Sequence, residues 1–202
     1  MKKLFLIAVV ATMFVACNND IDPSTNMSDS STEIKELIEQ AAKEEIDYDA
    51  LYSALSSMAV DVESIWEKSG NEFIAPLGLP STFGWYMEEE AIYHYGKSGS
   101  LLSGDEDNDG ELDIPKPYKV ALDYRYNTED HSITTNFKGD SHETTKVIEF
   151  VYFKDNTIVY IESQTTHFAS GNISNGEVYI KALLVDRAII KKWDEMVEDG
   201  NI

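Results

Sequence analysis

Residues 146–161 of the chain have the sequence KVIEFVYFKDNTIVYI, and this stretch decides the fold. β-Branched and aromatic side chains fill both halves, and Lys154, Asp155 and Asn156 separate the halves. β-Branched and aromatic side chains favour strands, whereas Asp and Asn favour tight turns. The stretch therefore predicts an antiparallel hairpin, and neighbouring segments extend the same pattern.

Strand-like runs lie on both sides of this hairpin. Residues 118–126 alternate between apolar and polar side chains, and Asn127–Asp130 form a turn that leads into residues 132–137. Residues 60–69 fit either a third helix or a first strand, and their pattern does not decide between the two. The predicted strands are Phe83–Met87, Ala91–Tyr95, Tyr118–Tyr126, Ser132–Phe137, Lys146–Phe153, Thr157–Thr166 and Glu177–Val185.

Helical periodicity occurs at both ends of this β-rich region. Apolar residues from Ile34 to Ala42 recur at helical spacing and predict a helix near 33–45. Asp47 is suited to cap a second helix, and Asp186 a closing helix that ends at Gly200. We therefore expect one α+β domain over residues 33–202, with helices in 33–58, an antiparallel β-meander in 60–185 and a C-terminal helix in 186–198.

The meander forms either an open sheet or a small up-and-down barrel. Trp66 is followed by the aromatic strands between Trp85 and Tyr95, by Tyr118 with Val120, and by repeated hairpins. This order resembles the lipocalin-like lipoproteins of Bacteroidota-type bacteria, and the resemblance implies the barrel.

The N-terminus has the pattern of a secretion signal. Lys2 and Lys3 precede an apolar run that is too short to span a bilayer comfortably, and small Ala16 stands before Cys17. This ending resembles the lipobox of bacterial lipoproteins, which implies cleavage after residue 16 and acylation of Cys17. An ordinary signal peptide with a chance cysteine is the alternative.

Residues 17–32 are polar and acidic, and we expect an acylated, flexible linker there. Asp20 and Asp22 resemble the acidic export signal of Bacteroidota-type lipoproteins. That resemblance implies a lipid-anchored protein of the outer membrane, on the cell surface or alternatively on the periplasmic face.

Composition limits the partners. The chain contains 37 Asp and Glu residues and has a formal charge of −21. Such a charge repels phosphate backbones, which argues against nucleic acid as a partner. Because Cys17 is the only cysteine, the fold contains no internal disulfide or cysteine metal site.

An acidic loop at residues 105–113 is the clearest candidate metal site. Asp105, Asp107 and Asp109 occupy alternate positions, Gly110 follows, Glu111 could offer its carbonyl, and Asp113 stands at the ninth position. The loop resembles the D-x-D-x-D-G-x-x-D calcium loops of extracellular proteins, although Lys116 stands where an EF-hand has its last glutamate. Calcium is therefore expected to stiffen this loop; a solvated acidic loop is the alternative.

Motifs for catalysis are not found in the sequence. The four histidines are scattered without metal-ligand spacing, and no nucleophile, P-loop or dinucleotide motif occurs. Trp85, Tyr86, Tyr93 and Tyr95 are candidate ligand-binding residues for a sugar or a protein, and core packing is the alternative. The sequence favours a lipid-anchored envelope protein that binds a protein or glycan without catalysis. An immunity lipoprotein against a secreted toxin and a glycan-active hydrolase are the alternatives.

Overall fold

The computed structural model describes residues 23–74, 82–98 and 116–200. Within them, the helices are α1 (Pro23–Ala41), α2 (Tyr48–Ser57) and α3 (Ile189–Asp199). The strands are β1 (Ala59–Ser69), β2 (Glu72–Ile74), β3 (Thr82–Met87), β4 (Ala91–Ser98), β5 (Lys116–Asn127), β6 (Ser132–Lys138), β7 (His142–Lys154), β8 (Thr157–Phe168) and β9 (Ile173–Val185).

Eight strands form a closed antiparallel barrel. In the order β1, β3, β4 and on to β9, each strand pairs with the next. β9 then pairs with β1, from Ala59↔Val185 to Trp66↔Tyr179, which closes the barrel. The short β2 is an extra strand that pairs with β1 beyond this point. The barrel is lipocalin-like, and the open sheet that the sequence also allowed is not formed.

The seven strands predicted from their β-branched and aromatic residues are all present, and each is longer than predicted. The assignment to the α+β class was wrong in emphasis, because the described chain is mostly β with accessory helices. The undecided segment 60–69 is a strand. A register shift between Val62 and Ser64 interrupts its alternation, which explains why the local pattern was ambiguous.

The central hairpin has the predicted tight turn. Lys154 pairs with Thr157, and Asp155 and Asn156 have φ angles of 50° and 64°. Positive φ at both central residues defines the two-residue turn whose twist matches antiparallel strands, and Asp and Asn tolerate this conformation better than most residues.

Helix α1 begins at Pro23, ten residues before the predicted start. The part of the expected flexible linker that is described, residues 23–32, is therefore helical; residues 17–22 lie outside the described residues. Proline suits the first turn of a helix, and extending a helix already held by packing costs little. None of the helices in the described residues is both long and apolar enough to cross a bilayer.

Helix α2 covers one end of the barrel. Asp47 caps it as predicted, accepting a hydrogen bond from the Ala50 amide at 2.9 Å. Leu51 and Leu55 point into the barrel and are fully buried. The strand residues that pack with them in this half are apolar and tightly packed: Val60, Trp85, Ile92, Ile133, Ile148, Phe150, Ile158, Tyr160, Ile180, Ala182 and Leu184.

The other two helices pack on the outside of the barrel. Ile34 of α1 lies against Trp66, Tyr152 and Tyr179, and Lys181 holds the helix through Glu33 at 2.8 Å. The predicted inward face of α3, centred on Trp193, covers a second outer patch formed mainly by β3 and β4.

Gly84 forms a notch for α3. A Cβ atom placed on Gly84 would lie 2.4 Å from two ring carbons of Trp193, closer than any carbon contact can be. The indole ring therefore fits against the barrel only because residue 84 has no side chain.

We predict that Gly84→Ala lowers the free energy of unfolding by about 1–3 kcal/mol, because α3 must shift away from β3. Urea unfolding measures this change. Gly176→Ala is the matched control, since Gly176 also lies in a strand but has open space around its Cβ position. Equal losses in the two variants would contradict the close fit of Trp193.

Candidate functional site

The half of the barrel opposite α2 contains a cavity of about 340 Å³. Its walls are inward-facing side chains of β3 to β8. They combine apolar groups on β5 and β6 with polar groups on the other strands: Thr82, His94, Tyr118, Val120, Leu122, Phe137, His142, Thr144, Lys146 and Gln164. The interior beside α2 is filled by the apolar cluster that includes Leu51 and Leu55.

A buried ion pair between the adjacent strands β7 and β8 lies at this level of the barrel. Lys146 Nζ lies 2.7 Å from Glu162 Oε1, and the two side chains are only 19% and 10% exposed. Removing two charges from water is unfavourable unless they neutralise each other. The pair satisfies this condition and leaves the cavity wall without net charge from these two residues.

His94 forms part of the cavity wall and is 3% exposed. Its ring lies nearly parallel to the indole of Trp85, with centroids 6.2 Å apart. Burial, with a smaller contribution from the Lys146 cation, lowers the pKa of His94 to about 3. The imidazole is therefore neutral at pH 7.

The Nε2 atom of His94 is buried and has no hydrogen-bond partner in this structure. A buried polar atom without a partner costs about 1–3 kcal/mol. Several other polar groups nearby do have partners. Thr144 and Thr166 share a hydrogen bond of 3.0 Å, Gln164 donates to Thr166 at 3.1 Å, and Trp85 donates to the Tyr160 hydroxyl at 3.0 Å.

A second, more polar space of about 420 Å³ adjoins the first where β1 and β9 separate. Pairing between these strands stops at Trp66 and Tyr179, and β9 continues without β1 beside it. Gln164 borders both spaces, and Glu162 faces the second. The ion pair and Gln164 therefore stand between an apolar-walled cavity and a polar side opening.

The rim of the open end carries aromatic side chains. Phe137, His142 and Phe168 lie in a row on β6, β7 and β8, with ring centroids 5.5 and 6.2 Å apart. Phe137 and Phe168 are 38% and 42% exposed. Phe137 and His142 also line the cavity, so the entrance is partly apolar.

The structure separates the four aromatic residues that the sequence suggested for ligand binding. Trp85 points into the barrel, whereas Tyr86, Tyr93 and Tyr95 belong to the outer patch beside Trp193 of α3. Lys119 Nζ lies 5.1–5.8 Å from the centroids of these three tyrosine rings and 2.9 Å from Asp194 Oδ1. The set does not form one surface, and its role in ligand binding stays a prediction.

Cys17 and the acidic loop with Asp105, Asp107, Asp109, Glu111 and Asp113 lie outside the described residues. In the ranges that are described, no three His, Cys, Asp or Glu side chains are grouped so that they could hold a metal ion. Acylation at Cys17 and calcium binding at the loop stay predictions.

In comparisons with protein-family models, curated proteins and solved structures, the chain has no significant match.

Sequence reasoning missed His94, Lys146 and Glu162 as site residues, although the strand pattern contains a signal for them. Lys146 is in phase with Ile148 and Phe150, and Glu162 with Ile158 and Tyr160. Because alternate residues share a face, charges in phase with a core face indicate a polar interior. The signal for His94 is similar. His94 lies on the same face of β4 as the buried Ile92, whereas Tyr93 and Tyr95 lie on the opposite face.

We predict that His94 makes the protein sensitive to mild acid. The pKa of His94 is about 3 in the folded chain and near its ordinary value of 6.5 when unfolded, so the unfolded state binds the extra proton between these values. As pH falls below about 6.5, this residue alone removes stability at up to about 1.4 kcal/mol per pH unit. Urea unfolding between about pH 6.5 and 4.5 measures the loss, which is expected to be smaller in His94→Gln.

The exposed His167 provides the control. His167→Gln is expected to keep the wild-type dependence on pH. If His94→Gln and the wild type lost stability in parallel, the buried, neutral state of His94 would be wrong.

Proposed function

We propose that this protein is a lipid-anchored binding protein of the cell envelope, which holds a small molecule inside its barrel without catalysing a reaction. The observation that carries the proposal is the cavity with its buried, partnerless His94 Nε2. A molecule that enters the cavity and bonds to this atom would satisfy it.

The contrast between the two halves of the barrel supports this function. Protein interiors normally pack as densely as organic crystals, and the half beside α2 follows this rule. The other half has threonines at interior positions, including Thr82, Thr135, Thr144 and Thr166, where larger side chains would fill the space. The volume of the cavity in this half, about 340 Å³, lies near the lower end of the range for small-molecule sites.

The anchor is proposed from the sequence. The lipobox-like residues before Cys17 and the acidic residues after it support acylation at Cys17 and a position on the outer membrane, at the cell surface. Several acyl chains on one terminus hold a protein stably at a membrane. The barrel then meets its ligand outside the cytoplasm.

A neutral fluorescent dye, N-phenyl-1-naphthylamine, tests the cavity. The dye is expected to bind the wild-type protein with a stoichiometry of one and to become brighter as water is excluded. Val120→Trp places a large ring in the cavity wall and is expected to abolish this binding, because the space is already small. Fluorescence titration measures both results.

Ala121→Trp is the matched control. Ala121 is the next residue on β5 and is exposed on the outside of the barrel, so the same ring there leaves the cavity open. Absence of dye binding to the wild type, or equal binding by Val120→Trp and the wild type, would contradict the proposed function.

The anchor has its own prediction. Cys17→Ser removes the only sulfur that can carry the lipid, so this variant is expected to leave the membrane fraction and to incorporate no labelled palmitate. Fractionation of the native host measures its distribution. A wild-type protein that incorporates no palmitate would disprove the anchor and leave the cavity proposal standing.

A further inference from the structure

The chemistry of the cavity restricts the kind of molecule it can hold, and this restriction goes beyond the proposed function on which it rests. Three groups define the polar side of the interior: the neutral His94, the Lys146 cation and the Glu162 anion. His94 and Lys146 both line the cavity, and Glu162 pairs with Lys146; these three groups form the polar patch.

This polar patch offers no net charge to a ligand. Lys146 lines the cavity and is already paired with Glu162 at 2.7 Å, while Glu162 lines the adjoining space, so neither an incoming anion nor an incoming cation finds an unpaired opposite charge. A charged group that leaves water needs an opposite charge to offset its desolvation. The cavity therefore favours an uncharged molecule.

The free bonding position belongs to His94. A neutral imidazole Nε2 is either a donor or an acceptor, depending on the tautomer. A hydroxyl group can both donate and accept, so it is complementary to Nε2 in either tautomer. A carbonyl or an ether could match only one of the two tautomers.

The remaining walls suit an apolar body. Val120, Leu122 and Phe137 present aliphatic and aromatic surface to the same space, and Phe137 extends to the aromatic rim. A volume of about 340 Å³ is roughly twice that of a cavity that holds benzene, so it accommodates a molecule of one to three rings or a chain of similar bulk and excludes larger lipids.

We propose that the barrel selects a small, uncharged, mainly apolar molecule bearing a hydroxyl group, such as a phenol or a short alcohol, and that this hydroxyl bonds to Nε2 of His94. The apolar part lies against the β5 and β6 walls, and charged analogues are excluded because the paired Lys146 and Glu162 do not offset the cost of removing their charge from water.

Three compounds of nearly equal shape test this selection: p-cresol, p-xylene and p-toluate. They differ in carrying a hydroxyl, a methyl or a carboxylate at one ring position. The titrations use the full mature chain with Cys17→Ser, which keeps lipid and detergent from competing for the apolar probes. Dissociation constants come from the shifts of backbone amide signals in nuclear magnetic resonance spectra.

We expect p-cresol to bind more tightly than p-xylene, and p-toluate to bind most weakly. An apolar cavity without a bonding group would prefer p-xylene, so a preference for p-cresol reports the hydrogen bond. In His94→Phe the preference for p-cresol over p-xylene is expected to fall about ten-fold. His94→Gln keeps a polar group at the site and is expected to retain part of the preference.

The ¹⁵N shift of His94 Nε2 supplies a readout that overall stability does not change. It is expected to move on addition of p-cresol and to stay constant on addition of p-xylene. If the wild type prefers p-xylene or p-toluate, or if the Nε2 shift does not respond to p-cresol, the inference is overturned.

The dye titration separates this failure from failure of the proposed function. Binding of N-phenyl-1-naphthylamine without a preference for p-cresol would overturn the hydroxyl selection and retain the binding function. Failure of every probe to bind would overturn both and indicate a cavity occupied by water.

Discussion

The antiparallel pairing of β1 with β9 is the constraint on which the structure depends. It joins the two edges of the sheet, so their backbone amides and carbonyls bond to each other. An open sheet with the same strands would expose its inner face and would enclose no volume. Closure is therefore what allows a Lys–Glu pair, a neutral histidine and several threonines to lie together inside so small a protein.

The helices protect those parts of the barrel that the strands leave exposed. α2 fills one end, and its Tyr52 hydroxyl donates to the backbone carbonyl of His131 at 2.9 Å, which fixes it to the turn between β5 and β6. Arg187 reinforces that end by donating to the carbonyls of Ser56 and Met87. With one end sealed in this way, apolar packing stabilises that half, and the opposite half is free to remain hollow and polar.

Much of the fold could be predicted because its strands obey local rules. β-Branched and aromatic residues between turn residues located the strands from Phe83 to Val185, and the Asp155–Asn156 turn was predicted from residue preferences alone. Closure could not be predicted in this way, because β1 and β9 are far apart in sequence and the irregularity after Val62 weakens the alternation of β1. The aromatic residues around Trp85 illustrate a second limit. Composition marked them as one cluster, whereas the period of two places Trp85 inside and its neighbour Tyr86 outside.

The same long separation between β1 and β9 affects how the chain folds. Most strands of the meander pair with a neighbour soon after both are made, but the edge of β1 that faces β9 gains this partner only when the last strand has emerged. Loop-closure entropy makes such distant pairing slow, and proteins dominated by it fold in milliseconds to seconds. Until then both outer strands have unpaired edges, which are prone to join other chains. A protein of this topology therefore benefits from remaining unfolded, in the company of a chaperone, until its C-terminal segment is available.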